Sequence, residues 1–250
     1  MSRAVLVTGA SRGIGRAVAT AFAEQGDRVA VHYSTRSSDA EATLAGLAGQ
    51  GHALIGGDLA DPERARTVVA EAVAALGGVD VVVNNAATMI PHPIAETSYV
   101  DWIEAWQRTF DVNLFAAVNV SYCAARHMID TGRAGRIVNV GSRGAFRGEP
   151  DHPAYGASKA ALHAFGQSLA VSLAPHGIAV ASVAPGFVET ERVSGRLTGA
   201  EGEAIRAQSP FGRVASPEEV ASAVTYLASP AATWCSGTIL DVNGASYLRT

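Results

Sequence analysis

A single lysine stands among the nineteen lysine and arginine residues of this 250-residue chain. It is Lys159, four positions after Tyr155 and seventeen after Ser142. Arginine replaces lysine on most solvated surfaces, but a compact ammonium can sit beside a phenol and grip sugar hydroxyls in a geometry that a planar guanidinium does not share. The spacing Ser-x12-Tyr-x3-Lys therefore reads as chemistry. Residues four apart share a helical face, so Tyr155 and Lys159 are expected side by side. A phenol with a reference pKa of about 10 is a sluggish acid-base group near neutrality. An ammonium roughly 5 Å away, at an effective dielectric of about 20, favours the phenolate by about 3 kcal/mol, with desolvation opposing it.

A second pattern opens the chain. After an apolar run at 4–7 comes Thr8-Gly9-Ala10-Ser11-Arg12-Gly13-Ile14-Gly15, with glycines spaced G-x3-G-x-G at the entrance to a helix. Glycine removes the Cβ that would block a pyrophosphate, and free N–H groups at a helix start supply donors and a favourable dipole. A strand-turn-helix setting is the context such a motif requires.

Elements that would carry these residues alternate along the chain. Runs rich in valine and isoleucine at 4–7, 29–33, 53–56, 79–83, 136–140, 178–183 and 238–242 predict seven buried strands. Alanine-rich segments with helical spacing lie between them, at 16–25, 40–48, 62–76, 102–129, 155–174 and 217–227. That alternation predicts a doubly wound α/β architecture, a parallel sheet covered on both faces. Asp61-Pro62 and Ser216-Pro217 place a capping residue before a first-turn proline, while Gly26, Gly77 and Gly177 close helices. Length and an apolar content of 48% predict one domain. The stretch 187–213, with four glycines and mixed charge, is expected to be a mobile loop covering the substrate.

Composition excludes several roles. A net charge of -4 offers no basic stripe for nucleic acid. No stretch approaches a membrane-spanning length. Two distant cysteines, Cys123 and Cys235, suggest neither a disulfide framework nor zinc, and a reducing cytoplasm is expected. The histidines show no ligand spacing, so no metal is expected.

The glycine turn resembles that of the short-chain dehydrogenase/reductase family, T-G-x3-G-x-G. The likeness continues in Asn84-Asn85-Ala86-Ala87, close to the family's N-N-A-G with Ala87 replacing glycine, in the Ser142, Tyr155, Lys159 spacing, and in Pro185-Gly186 with Thr190, matching P-G-x3-T. It covers nearly the whole chain and implies a Rossmann fold binding a nicotinamide dinucleotide. By this resemblance Tyr155 donates a proton to a carbonyl oxygen held by Ser142, and Lys159 also binds the nicotinamide ribose. Asn113 matches the fourth catalytic residue, which kinks its helix and holds a water relaying protons to Lys159. Gly9, Ser11, Arg12, Gly13, Ile14 and Gly15 would meet the pyrophosphate side. Asp58 and Leu59 would meet adenine, Asn85, Ala86 and Ala87 would lie beside the cofactor, as would Tyr33 and Tyr155, and Pro185, Gly186, Val188 and Thr190 would meet the carboxamide.

The choice of dinucleotide falls to the end of strand two, His32-Tyr33-Ser34-Thr35-Arg36-Ser37. Family members that use NAD carry an aspartate where Tyr33 stands. Arg12, Ser34, Arg36 and Ser37 could instead bond a 2'-phosphate, so NADP(H) is expected ahead of NAD(H). Asp27 precedes strand two, at the wrong edge of the sheet, and reads as a surface turn. Substrate contacts are expected from 88–97, 143–154 and 187–213. There Arg143 and Arg147 could meet an anionic substrate but read first as solvated, Phe146 and Phe187 could line an apolar pocket, and His152 reads as a loop histidine.

The expected activity is reduction of a ketone or aldehyde to an alcohol. A 3-oxoacyl-carrier-protein or CoA reductase is the alternative suggested by Asp241-Val242-Asn243-Gly244, with an acyl-carrier protein as candidate partner. His176 stands where such reductases often carry a basic docking residue. An oxidative alcohol or hydroxysteroid-type dehydrogenase and a non-catalytic nucleotide sensor complete the set. Small faces at Ala116, Ala117, Ala124, Ala125, Ala157, Ala160, Ala161 and Ala164, together with the resemblance, lead to a homodimer or homotetramer.

Overall fold

Runs rich in valine, isoleucine and alanine form the strands β1 (Ala4–Val7), β2 (Arg28–Tyr33), β3 (Ala53–Gly56), β4 (Val81–Asn84), β5 (Gly135–Val140), β6 (Ile178–Pro185) and β7 (Ile239–Val242). The central β1, β4 and β6 are buried throughout, but the expectation of seven buried strands fails at β7, an edge strand whose Leu240 and Asp241 are exposed. The computed structural model describes residues 2–191 and 193–249. The strands make one sheet in the order β3-β2-β1-β4-β5-β6-β7, and every pairing is parallel. Strand order reverses between β1 and β4, so a crevice opens there at the carboxyl ends of the strands.

The helices are α1 (Gly13–Glu24), α2 (Ser37–Ala45), α3 (Pro62–Leu76), α4 (Tyr99–Phe110), α5 (Ala116–Asp130), α6 (Pro153–Leu173), α7 (Gly199–Arg206) and α8 (Pro217–Leu227). Alternation along each strand splits the core in two. Val5 and Val7 face one layer with Val18 and Phe22 of α1 and Val220 and Val224 of α8. Ala4 and Leu6 face the other with Val68 and Leu76 of α3, Val120 and Met128 of α5 and Leu173 of α6. Phe22 and Leu76 are fully buried, each contributing about 1.5–3 kcal/mol of apolar transfer.

Capping chemistry sets helix ends closely where it is present. Asp61 accepts from Glu63 N before Pro62, and Gly77 ends α3 at φ 72°. Ser216 and Glu219 form a reciprocal capping box before Pro217. Expected bounds shift elsewhere. The segment 79–83 becomes β4 at Val81–Asn84, and 40–48 becomes α2, which stops at Gly46. The segment 102–129 begins at Tyr99 because Ser98 accepts from Asp101 N, and it is broken by a π-helical turn at Asp111–Phe115.

Three further expectations need correction. The stretch 187–213 is not simply a loop, for it holds a 3₁₀ turn at Ser194–Leu197 and α7, which buries Gly202 and Ile205; residue 192 lies outside the described residues. Asp27 is not a surface turn, being 5% exposed and ion-paired with Arg3. It does lie at the amino edge of the sheet, where Arg28 pairs with Ala4. Finally, Ala116, Ala124 and Ala125 pack inside the chain's own core and Ala117 is buried, whereas Ala160 and Ala164 are exposed. No helix among the described residues is long and apolar enough to cross a membrane.

Candidate active site

A cleft of about 780 Å³ runs along the carboxyl ends of β1, β2, β4, β5 and β6. At its centre the chain turns from β1 into α1. Gly9 at φ 63° and Gly13 at φ 53° occupy the left-handed region that side chains avoid. The turn is tied to the end of β4: Thr8 Oγ1 accepts from Asn85 N (2.9 Å) and Ala86 N (3.0 Å), and Asn85 Nδ2 donates to Thr8 O (2.9 Å) and Gly9 O (3.0 Å). A Cβ on Gly15 would stand 2.3 Å from Gly9 O. Among the described residues the first turn of α1 shows no side-chain cap hydrogen bond, and it carries no acidic residue. Its N–H groups therefore face the cleft as an anion cradle, which fits a dinucleotide pyrophosphate.

His32, to which no sequence motif assigns a role, buttresses this turn. Its Nδ1 accepts from Gly9 N (3.2 Å), which puts the ring hydrogen on Nε2, where it donates to Gly57 O (3.0 Å). Burial pulls its pKa down to about 4, so the ring is neutral. Its place in a buried strand register was the available signal.

Ser11, Arg12, Gly13, Ile14, Ser34, Arg36, Asp58 and Leu59 line one end of the cleft, the end at which the sequence leads one to expect the adenosine. Tyr33 and Ser37 do not. The Tyr33 ring lies over Gly56, where an added Cβ would come within 2.8 Å of it, and Ser37 opens α2. Against a burial penalty, Asp58 is held below the usual carboxylate range by Ala60 N and by Arg108, which pairs with it at 2.9 Å.

At the other end stand Ser142, just past β5, and Tyr155 and Lys159 on the first turns of α6; all three line the cleft. Lys159 is 2% exposed, donates to Val140 O at 2.8 Å, and holds Nζ 5.8 Å from the Tyr155 ring centroid. Ser142 Oγ accepts from Gly144 N (3.0 Å), an arrangement that leaves its hydroxyl hydrogen to donate. Ala86, Ala87, Pro185, Gly186, Val188 and Thr190 complete this end. Asn113 sits in the π-helical turn behind the cleft wall, 1% exposed; it accepts from Thr88 N (2.7 Å) and donates to Thr88 O (3.0 Å) and Ser158 Oγ (3.1 Å). Its side chain positions the segment after Ala87.

The substrate side departs from expectation at two residues. Arg143 is not solvated but 6% exposed. Phe146 stacks on His163 (centroids 5.3 Å apart) and stays out of the cleft, while Phe187 lines it. Arg147 and His152 also line it, and His152 O accepts from Tyr155 N at the start of α6. Glu149 is pushed up by burial, against Arg143, Arg147 and Arg196.

A family model described as enoyl-(acyl carrier protein) reductase matches residues 9–245. An L-rhamnose 1-dehydrogenase (NAD(P)(+)) from a Sphingomonas species is 39% identical, over 99% of this chain and 97% of that protein. A 3-oxoacyl-(acyl-carrier-protein) reductase from Vibrio cholerae is 38% identical, over 98% of each. A short-chain dehydrogenase from Burkholderia cenocepacia, solved in complex with NADP, superposes with a TM-score of 0.87 at 34% identity, covering 98% of this chain and 97% of that one. The seven-stranded parallel sheet, the glycine turn and these similarities make the chain a member of the short-chain dehydrogenase/reductase family, oxidoreductases that bind a nicotinamide cofactor and act on CH–OH or C=O groups.

Proposed function

We propose that this protein is an NADP(H)-dependent reductase of ketones or aldehydes, with Ser142, Tyr155 and Lys159 at the reacting end. The observation that carries the reading is the meeting of those three side chains in the cleft that also contains the uncapped start of α1. When bound, the nicotinamide supplies the hydride, two electrons with one proton. Ser142 holds the carbonyl oxygen through its free hydroxyl hydrogen. Tyr155 gives that oxygen its proton, so carbonyl, hydride and proton make the alcohol and leave a phenolate. Lys159 stabilises that phenolate from beside the ring, and its other donors suit ribose hydroxyls. Asn113 is a positioning residue that fixes Thr88 and Ser158 around them.

Preference for NADP(H) rests on Ser34 and Arg36 at the adenosine end, with Arg12 across the turn and no carboxylate at the end of β2. The NADP complex of the Burkholderia protein agrees with it. A second reading, oxidation of a hydroxyl compound with either nucleotide, is favoured by the rhamnose dehydrogenase relative, and the Vibrio relative keeps a carrier-bound 3-oxoacyl substrate in view. Residues 187–213 cover the substrate, the chain folds as one domain, and it assembles as a homodimer or homotetramer through the exposed face of α6. The free cysteines suit a reducing cytoplasm.

The test is NADPH oxidation, with NADH in parallel, against a 3-oxoacyl thioester, simple β-keto esters, cyclic ketones and quinones. Turnover of ketones with NADPH ahead of NADH is expected. Activity only in the oxidative direction with NAD would overturn the reading.

A further inference from the structure

Arg143 follows Ser142 directly and is almost wholly buried, yet its hydrogen-bond partners are neutral. Its Nη1 donates to Ser246 Oγ (2.6 Å) and its Nη2 to Gln208 Oε1 (2.5 Å), while Phe187 packs against its face at 5.0 Å. Among the described residues no carboxylate stands within 4.0 Å of it. Buried charges are normally paired, because an uncompensated one is costly.

A second cation aggravates the imbalance. Arg147 Nη1 donates to the same Gln208 Oε1 at 3.0 Å, so two guanidinium groups converge on one neutral oxygen at the substrate end of the cleft. Arg196 meets the opposite side of this region, 5.6 Å from the Phe187 centroid, but is bonded to Glu201 at 2.7 Å. Among the described residues Glu149 is the carboxylate whose field acts on Arg143, and it stays beyond ion-pair distance. Burial and the neighbouring Arg147 both push the Arg143 guanidinium down from its usual range.

We propose that Arg143 and Arg147 form a subsite for a carboxylate carried by the substrate, making this protein a reductase of oxo acids. The inference rests on the carbonyl being held at Ser142, as proposed above. A planar carboxylate offers two oxygens to two guanidinium forks where Gln208 now offers one. Arg143 is the next residue after Ser142, so the anion sits close to the reacting carbonyl; a phosphate at the far end of a long pantetheine arm does not meet that requirement.

The test compares kcat/KM with NADPH for 4-oxopentanoate and 3-oxocyclohexanecarboxylate, each against its methyl ester, with an acetoacetyl-CoA arm. The acids are expected to exceed their esters more than tenfold. Arg147→Ala, at an exposed position, should collapse that ratio toward one, chiefly through KM, and Arg147→Lys should keep part of it. Equal rates for acid and ester in the unaltered protein overturn the proposal. So does a variant that lowers only acetoacetyl-CoA turnover, which assigns the arginines to a phosphate. If no carbonyl turns over with either nucleotide, the function reading fails by itself. Calorimetry in the presence of NADP then decides the subsite: the acid should bind and its ester not, with the difference lost in Arg147→Ala, and equal binding refutes it.

Discussion

Lys159 occupies a site with almost no spare volume: 2% exposed, bonded to Val140 O, and close to the face of the Tyr155 ring. A guanidinium keeps the charge but is larger and planar, so it cannot reproduce one compact donor aimed at both phenol and ribose. Lys159→Arg is therefore expected to lower turnover by about 100-fold or more and to weaken NADPH binding, as measured by steady-state rates and fluorescence titration. At the adenosine end, Arg36→Ala should reduce the NADPH-to-NADH preference by about 10- to 100-fold, the worth of one charge-assisted bond; an unchanged ratio would move phosphate recognition away from Arg36. The Ser142, Tyr155 and Lys159 pattern was readable because a strand end and one helix face fix their relation. Arg143 was not. Its burial depends on Gln208 and Ser246, which lie 65 and 103 positions along the chain. The place of the Tyr33 ring over Gly56 was hidden for a related reason, since it depends on a contact with the neighbouring strand.

At the scale of elements, the turn between β1 and α1 joins fold to site. Gly15 has no room for a methyl group, because the added carbon would lie 2.3 Å from Gly9 O and 2.5 Å from Asn85 Nδ2, and a backbone carbonyl cannot swing aside. Gly15→Ala is expected to destabilise the protein by about 1–3 kcal/mol or more, read as a lowered urea midpoint, and to weaken nucleotide binding with it. The helices α3 and α8 were legible to the residue because their caps are local, an Asp-Pro or Ser-Pro step at the start and, for α3, a left-handed glycine at the end. The π-helical turn around Asn113 was foreseen only as a kink. Its form depends on Asn113 reaching Thr88 across the fold, which helical periodicity does not encode. Likewise α7 is short and glycine-bearing, with Gly202 against the Leu197 backbone, so its pattern falls below what spacing reveals.

For the whole molecule, proton linkage and assembly follow from what is buried. His32 and His163 are 1% and 3% exposed, and burial lowers each pKa from 6.5 to about 4. Above pH 6.5 both are neutral whether folded or unfolded. As pH falls below 6.5 the unfolded chain takes up protons that the fold refuses, so stability declines until the folded pKa near 4 is reached. The full loss is about 3 kcal/mol per histidine, and urea midpoints between pH 7 and 4.5 should fall accordingly; a flat profile would contradict it. With half of the alanine stripe consumed by the core, Ala160, Ala164 and Val171 of α6 with Phe115 and Tyr122 remain exposed, and the proposed association would use them. Light scattering at micromolar concentration should give a dimer or tetramer, and a monomer would refute it. The central claim, that one cleft binds the nucleotide and delivers a proton through Tyr155, is tested most directly by Tyr155→Phe, measuring carbonyl-dependent NADPH oxidation and NADPH affinity on the same preparation. Turnover should fall by about 100- to 10,000-fold with affinity retained, whereas undiminished turnover would contradict the account.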